Sequence, residues 1–275
     1  MKTPIRNIKL QDVQNLLDDR GIDIQKVGIK NVDVPLIIQR KDNDNQIVHA
    51  KAKISASLDM NYKGTHMSRF MEILNEWREK ELLGIDIKGC LEAIQHKLNA
   101  KSAEVKFTFK YFIEKEAPVS KQKSLMAYDC SFEGTIDEND YKFYLGVKIP
   151  VTTLCPCSKE ISNYSAHNQR ALIKILISYN DTEHIWLEDL IKDVEKSASC
   201  EVYPLLKRED EKYVTEHAYD NPKFVEDVLR DIVLNFRNNK IIKYFEVEVE
   251  SLESIHNHSA WAYQLESKGK NERTF

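Results

Sequence analysis

The 275-residue chain lacks several features, and each absence removes a class of function. No apolar run approaches the roughly 20 residues that a membrane-spanning helix needs. The opening Met1-Lys2-Thr3-Pro4-Ile5-Arg6 is not followed by the apolar segment of a secretion signal. The expectation is therefore a cytoplasmic protein with no membrane partner. A basic excess is also missing: net charge −4 and a pI near 6.1 argue against a general nucleic-acid binder. Nor is there an even disulfide framework. The five cysteines, Cys90, Cys130, Cys155, Cys157 and Cys200, are scattered and odd in number, which fits a reducing compartment with some thiols in use and others in the core. What remains is 42% hydrophobic, enough to bury one large core or two moderate ones.

What the chain does have is periodicity. Residues 32–40 favour a strand, and in 47–59 Val48, Ala50, Ala52, Ile54, Ala56 and Leu58 share one face of another, with Asp42-Asn43-Asp44-Asn45 as the turn. Phe70, Met71, Leu74 and Trp77 recur at helical spacing in 68–80. Ile87, Leu91, Ile94 and Leu98 do so in 86–99, with Gly84 at the break. Strand alternation returns at Val105, Phe107, Phe109 and Tyr111 and again over about 124–133. From Asp140 the order repeats: strands over 141–151 and 171–179, a helix over 186–196, a second helix capped by Asn221 with Pro222 at its first position, and strands around Val247 and over 260–265. The prediction is an α+β fold of two tandem ββααββ units, residues 31–137 and 138–267, with antiparallel sheets and helices on one face. An irregular arm, 1–30, precedes them and a mobile tail, 268–275, follows.

Chemistry-bearing residues concentrate between Pro150 and Arg170. Cys155-Pro156-Cys157 is too short for a Cys-x-x-Cys redox pair, and a disulfide between positions i and i+2 strains the favoured geometry. A thiolate with His167 at loop distance suits a divalent metal, and a mixed Cys/His/carboxylate set is the composition of a catalytic zinc-type site. The competing reading makes Cys155 and Cys157 small buried apolar residues and His167 a hydrogen-bonded core histidine. His256 and His258 point to one face if the backbone is extended, so one loop can present two imidazoles to one point. Solvated loop histidines are the alternative. Lys63-Gly64-Thr65-His66-Met67-Ser68-Arg69 places three basic groups at a helix start, where backbone donors favour anions, although helix capping by Thr65 or Ser68 explains its polar residues as well.

Val151-Thr152-Thr153-Leu154-Cys155-Pro156-Cys157-Ser158-Lys159-Glu160-Ile161-Ser162, followed by Ala166-His167-Asn168-Gln169-Arg170, closely resembles the signature of the type IB GTP cyclohydrolases. These prokaryotic enzymes open folate biosynthesis by converting GTP and water to 7,8-dihydroneopterin triphosphate and formate. The likeness extends to Cys200-Glu201-Val202-Tyr203-Pro204-Leu205-Leu206-Lys207-Arg208, to Glu253-Ser254-Ile255-His256-Asn257-His258 and to the Lys63–Arg69 string. It implies a bimodular tunnelling fold, a homotetramer with active sites where subunits meet, and a divalent metal, zinc, manganese or iron(II).

Carried over residue by residue, the resemblance implies metal ligands among Cys155, His167, Glu201 and His256, with Glu201 also facing the guanine. Glu216 matches a glutamate of proton transfer, and Glu253, His256 and His258 fall in the active-site segment. Cys157 becomes a second thiol for proton transfer or metal protection. Lys63, His66, Arg69, Arg170, Lys207 and Arg208 become substrate contacts, the last two adjacent cations for the triphosphate. Ser165 stands where the family commonly has glycine, which bears on the backbone before His167 and not on the ligand itself. Three alternatives stay open: a related cyclohydrolase giving a cyclic phosphate product, a non-catalytic metal or nucleotide module with a closed four-ligand shell, and a structural scaffold with buried cysteines.

Overall fold

Alternation of apolar and polar residues decides the architecture. The computed structural model describes residues 12–268 apart from 43, 139 and 181. The expectations for residues 1–11 of the arm and 269–275 of the tail lie outside the described residues. The first unit runs β1 (Ile24–Gln39), β2 (Asn45–Leu58), α1 (Met67–Trp77), the two-residue β3 (Glu81–Leu82), α2 (Ile87–Leu98), β4 (Ser102–Glu116) and β5 (Lys123–Asp137). The second runs β6 (Asp140–Leu154), α3 (Pro156–Ile161), β7 (Asn168–Tyr179), α4 (Leu187–Glu195), the short β8 (Cys200–Glu201), α5 (Arg208–Asp220), α6 (Val225–Asn238), β9 (Ile242–Ser251) and β10 (Ala260–Ser267).

All these strands join one sheet in the order β10-β9-β7-β6-β5-β4-β2-β1-β3, with β8 paired to β6. Apart from the parallel β1–β3 contact the pairing is antiparallel, so successive connections alternate between two ends of the sheet. The upper end carries the β1–β2 and β4–β5 turns and the β6–β7 and β9–β10 loops. The lower end carries the β2–α1 connection and the β5–β6 hairpin.

One face of the sheet is apolar and takes the helices. Val105, Phe107, Phe109 and Tyr111 of β4, Ile173, Ile175 and Ile177 of β7, and Val247 and Val249 of β9 all point into a single continuous core with α1, α2, α4 and α6. Ile87, Leu91 and Ile94 of α2 are fully buried there, each contributing roughly 1.5–3 kcal/mol by area. The other face is charged, and its register places opposite signs directly across: Lys51 faces Asp33, Lys106 faces Glu133, Lys110 faces Asp129 and Lys174 faces Glu248. Such directly opposed charges favour this register over one that sets like charges across from each other.

The element order matches expectation with four differences. β1 begins at Ile24, inside the stretch expected to be irregular. α3 and the two-residue β3 and β8 fall in stretches outside the expected elements, whereas Gly84 does stand at the break between α1 and α2, where an added Cβ would lie 2.5 Å from Phe143 Cζ. Asn221 does not cap a following helix. It closes α5, donating its backbone N–H to His217 O and its side-chain amide to Ala198 O and Ser199 O, while α6 starts only at Val225, with Asp227 accepting from the Phe224 N–H. α5 lies between the two helices expected in this unit, in a stretch with no helical periodicity of its own. Asp210 and Ala218 are its buried residues, and so thin an inward stripe leaves almost no 3.6-residue signal.

Candidate functional site

β6 ends at Leu154, and the next residue, Cys155, is the N-cap of α3, with Pro156 at the helix's first turn where its missing N–H costs nothing. The Cys155 Sγ accepts from the Ser158 N–H at 3.4 Å, and the Cys155 N–H donates to His167 O at 3.1 Å, so the loop folds back and sets the Cys155 backbone beside that of His167. Ser158 Oγ completes the fold-back, donating to Cys155 O and accepting from the His167 N–H. His167 Nδ1 lies 2.8 Å from Gln169 Oε1, which leaves Nε2 facing the opposite way. Gln169 is tied in turn to Thr153, and Thr153 to Ser251 of β9. Ser165 adopts φ +102°, the region that favours glycine. Cys157 is exposed on α3.

Glu201 reaches this end of the sheet through β8, whose pairing sets Glu201 opposite Val151 and Cys200 opposite Thr152. Burial, then the Glu201 carboxylate, push the Cys200 thiol up to about 11, so it stays protonated and packs with Leu154 and Ala218 instead of offering a further thiolate. Behind Glu201 stands a buried cluster that local sequence reading passed over. The Lys115 ammonium lies 2.7 Å from Glu201 Oε2 and 2.9 Å from Glu195 Oε1, and Tyr128 OH donates to Glu195 at 2.8 Å. Two patterns announce it: Lys115 continues the inward series Val105, Phe107, Phe109, Tyr111, Ile113 of β4, and Glu195 extends the Leu187–Ile191 stripe of α4.

The β9–β10 loop joins the same end, since the Leu252 N–H donates to Arg170 O. Glu253 Oε2 lies 3.5 Å from His256 Nε2, and the His256 and His258 rings stack at 4.9 Å between centroids. The backbone here is turned and not extended, yet the two rings still lie side by side. Lys207 and Arg208 open α5, which is pinned by Asp210. Its buried carboxylate accepts from the Lys207, Val119 and Ser120 N–H groups and from Ser120 Oγ. Burial alone would push the pKa of Asp210 up, but those hydrogen bonds outweigh it and hold the carboxyl far below its ordinary range. Glu216 lies on the outward face of α5, its side chain 63% exposed, near Lys212. His217 stacks on Tyr213.

Lys63, His66 and Arg69 lie elsewhere. They follow β2, at the lower end of the first unit. His66 precedes α1 and pairs with Asp12, and neither Thr65 nor Ser68 supplies a side-chain cap to that helix. Arg69 Nη1 donates to Lys97 O. Within one chain these three residues and the Cys155 loop occupy opposite ends of the sheet.

The donors fit a divalent cation in kind: a thiol on a rigid cap, an imidazole with one nitrogen held and the other free, and a carboxylate with one oxygen anchored. Among the described residues no group of three or more His, Cys, Asp and Glu side chains is already drawn together around one point.

A sequence model of type I GTP cyclohydrolase folE2 matches residues 10–262. The chain is 49% identical over 253 residues to GTP cyclohydrolase FolE2 of Thermosipho africanus (strain TCF52B), covering 92% of this chain and 96% of that protein. It is 50% identical over 255 residues to GTP cyclohydrolase FolE2 of Syntrophus aciditrophicus (strain SB), covering 92% and 98%. Among solved structures, uricase from Arthrobacter globiformis superposes with a TM-score of 0.55 at 7% identity over 91% of this chain and 96% of that one, a likeness of fold alone and one that identifies the tunnelling fold.

Proposed function

The chain belongs to the type I GTP cyclohydrolase FolE2 family, and from that premise we propose that Cys155, His167 and Glu201, joined by His256, hold a divalent zinc, manganese or iron(II) ion beside the guanine of GTP. The protein is a GTP cyclohydrolase: it converts GTP and water to 7,8-dihydroneopterin triphosphate and formate, the folate-pathway reaction. The observation that carries the metal reading is the fold-back of the β6–β7 loop, which sets the Cys155 thiol and the His167 imidazole at the upper end of the sheet where β8 also delivers Glu201.

A divalent ion held by Cys155, His167, Glu201 and His256 would supply acidified water for attack at purine C8 and stabilise the negative charge that develops there. The chain's own groups do the rest. A carboxylate pairs with the guanine amino and ring N–H donors, an arrangement adenine cannot match. Lys207, Arg208 and Arg170 bind the triphosphate. Glu216, Glu253 and the remaining histidine of the β9–β10 loop, His258, move protons as the imidazole ring opens and formate leaves, and Cys157 serves as the second thiol.

The opposite placement of Lys63, His66 and Arg69 supports a homotetramer in which a neighbouring copy brings those residues to the GTP. One edge of the sheet is open to such assembly: among the described residues β10 pairs only with β9, and Trp261 and Tyr263 on it are exposed. Five free cysteines and a GTP substrate support a cytoplasmic setting. Among the described residues no helix is long and apolar enough to cross a membrane.

The test is incubation of the purified protein with GTP and manganese, zinc or iron(II), following pteridine absorbance, formate and product mass. Absence of both products with every metal would overturn the reading, and a cyclic phosphate mass would move the chain to the related reaction.

A further inference from the structure

The cluster behind Glu201 is assembled from both halves of the chain. Lys115 comes from β4 of the first unit, with 9% of its side-chain surface exposed, and its three donors are all engaged: Glu201 Oε2, Glu195 Oε1 and Val202 O at 3.0 Å. Its ammonium also lies 4.8 Å from the Tyr203 ring centroid. Glu195, the last residue of α4, is 5% exposed and receives the Tyr128 hydroxyl as well. Glu201 is different. Its side chain is 37% exposed, so it alone of the two carboxylates reaches the open site.

Geometry and charge agree on what this arrangement does. One oxygen of Glu201 is held by Lys115 at the end of the sheet that carries the Cys155 loop, and the ammonium leaves the other oxygen for a ligand. Two carboxylates share a single ammonium, so the cluster keeps a surplus negative charge that a cation at Glu201 relieves. Burial pushes the pKa of Glu195 up, and the Lys115 ammonium opposes that rise.

We propose that Lys115 is a positioning residue for Glu201, held in turn by Glu195 and Tyr128, so that the first unit sets the orientation of a carboxylate used in the second unit's site. This rests on the role proposed above for Glu201. It also explains why a lysine occupies an inward position of β4, where its desolvation is unfavourable unless it is fully paired.

The experiment compares wild type, Lys115→Met, Lys115→Arg and Tyr128→Phe. The readouts are manganese affinity without substrate, KM and kcat for formate release, and thermal midpoint. Outer partners of a metal ligand commonly change affinity about 10- to 100-fold. The expected result is a loss of that size in Lys115→Met, with kcat falling more than KM rises, partial recovery in Lys115→Arg, and a smaller loss of about threefold in Tyr128→Phe. A lower thermal midpoint with manganese affinity and kcat within twofold of wild type would overturn the proposal. If Lys115→Met does not fold, the other two decide: unchanged affinity in both also overturns it. Wild-type turnover that Lys115→Met retains defeats the positioning role alone. A wild type that releases no formate defeats the proposed function, and the manganese affinities still decide the positioning.

Discussion

His167 Nδ1 and Gln169 Oε1 lie 2.8 Å apart, two residues along the same strand entry, and the Gln169 amide donates onward to Thr153 Oγ1 at 3.1 Å. The imidazole is thus held in one orientation by a chain of hydrogen bonds that ends on Ser251 of β9. Gln169→Ala frees the ring to rotate. Manganese or zinc affinity is expected to fall about 10- to 100-fold, as for other partners that orient a ligating histidine. Titration of the purified variant checks this, and an affinity equal to wild type would show that the contact does not serve a ligand.

Ser165 holds φ +102° immediately before the His167 segment. A side chain in that region costs on the order of 1–3 kcal/mol, and glycine removes the cost. Ser165→Gly is expected to stabilise the protein by about 1 kcal/mol and raise the thermal midpoint by about 2–4 °C. Calorimetry checks it, and a lower midpoint would mean that the serine hydroxyl contributes more than its backbone strain removes.

Asp210 joins the N-terminus of α5 to the β4–β5 turn through four hydrogen bonds. Its folded carboxyl titrates below the unfolded value, so its contribution is present above the unfolded value of about 4 and is lost as pH falls from there toward the folded one. Asp210→Asn is expected to melt several degrees below wild type at pH 7, with the gap narrowing below about pH 4. A gap independent of pH would assign the loss to shape and not to charge.

Glu216 is exposed on the outer face of α5, where a substitution touches no core. Glu216→Ala is expected to keep its bound metal and to shift stability by less than about 0.5 kcal/mol. Its kcat for formate release should fall about 100-fold or more if the carboxylate moves a proton. Turnover within threefold of wild type would remove Glu216 from the reaction.

Legibility in the sequence followed range. The strands were readable because alternation along β2, β4, β7 and β9 is a property of neighbouring residues. The Cys155 loop was readable because thiol, proline and histidine sit within one short stretch. α5 was not, because Val214 and Ala218 are nearly its whole inward face, and Asn221 misled because its capping amide serves the chain behind it, at Ala198 and Ser199.

By itself the sequence determined the duplicated α+β plan, the loop that carries Cys155 and His167, and the likeness on which the family rests, since all three are written in local order and spacing. Tertiary structure alone decided that Lys115 supports Glu201 and that Lys63, His66 and Arg69 stand at the far end of the sheet from the thiol. The reason is physical. Strand direction and register bring together residues distant in the chain, and whether a given strand end lies above or below is settled only when every strand has been paired.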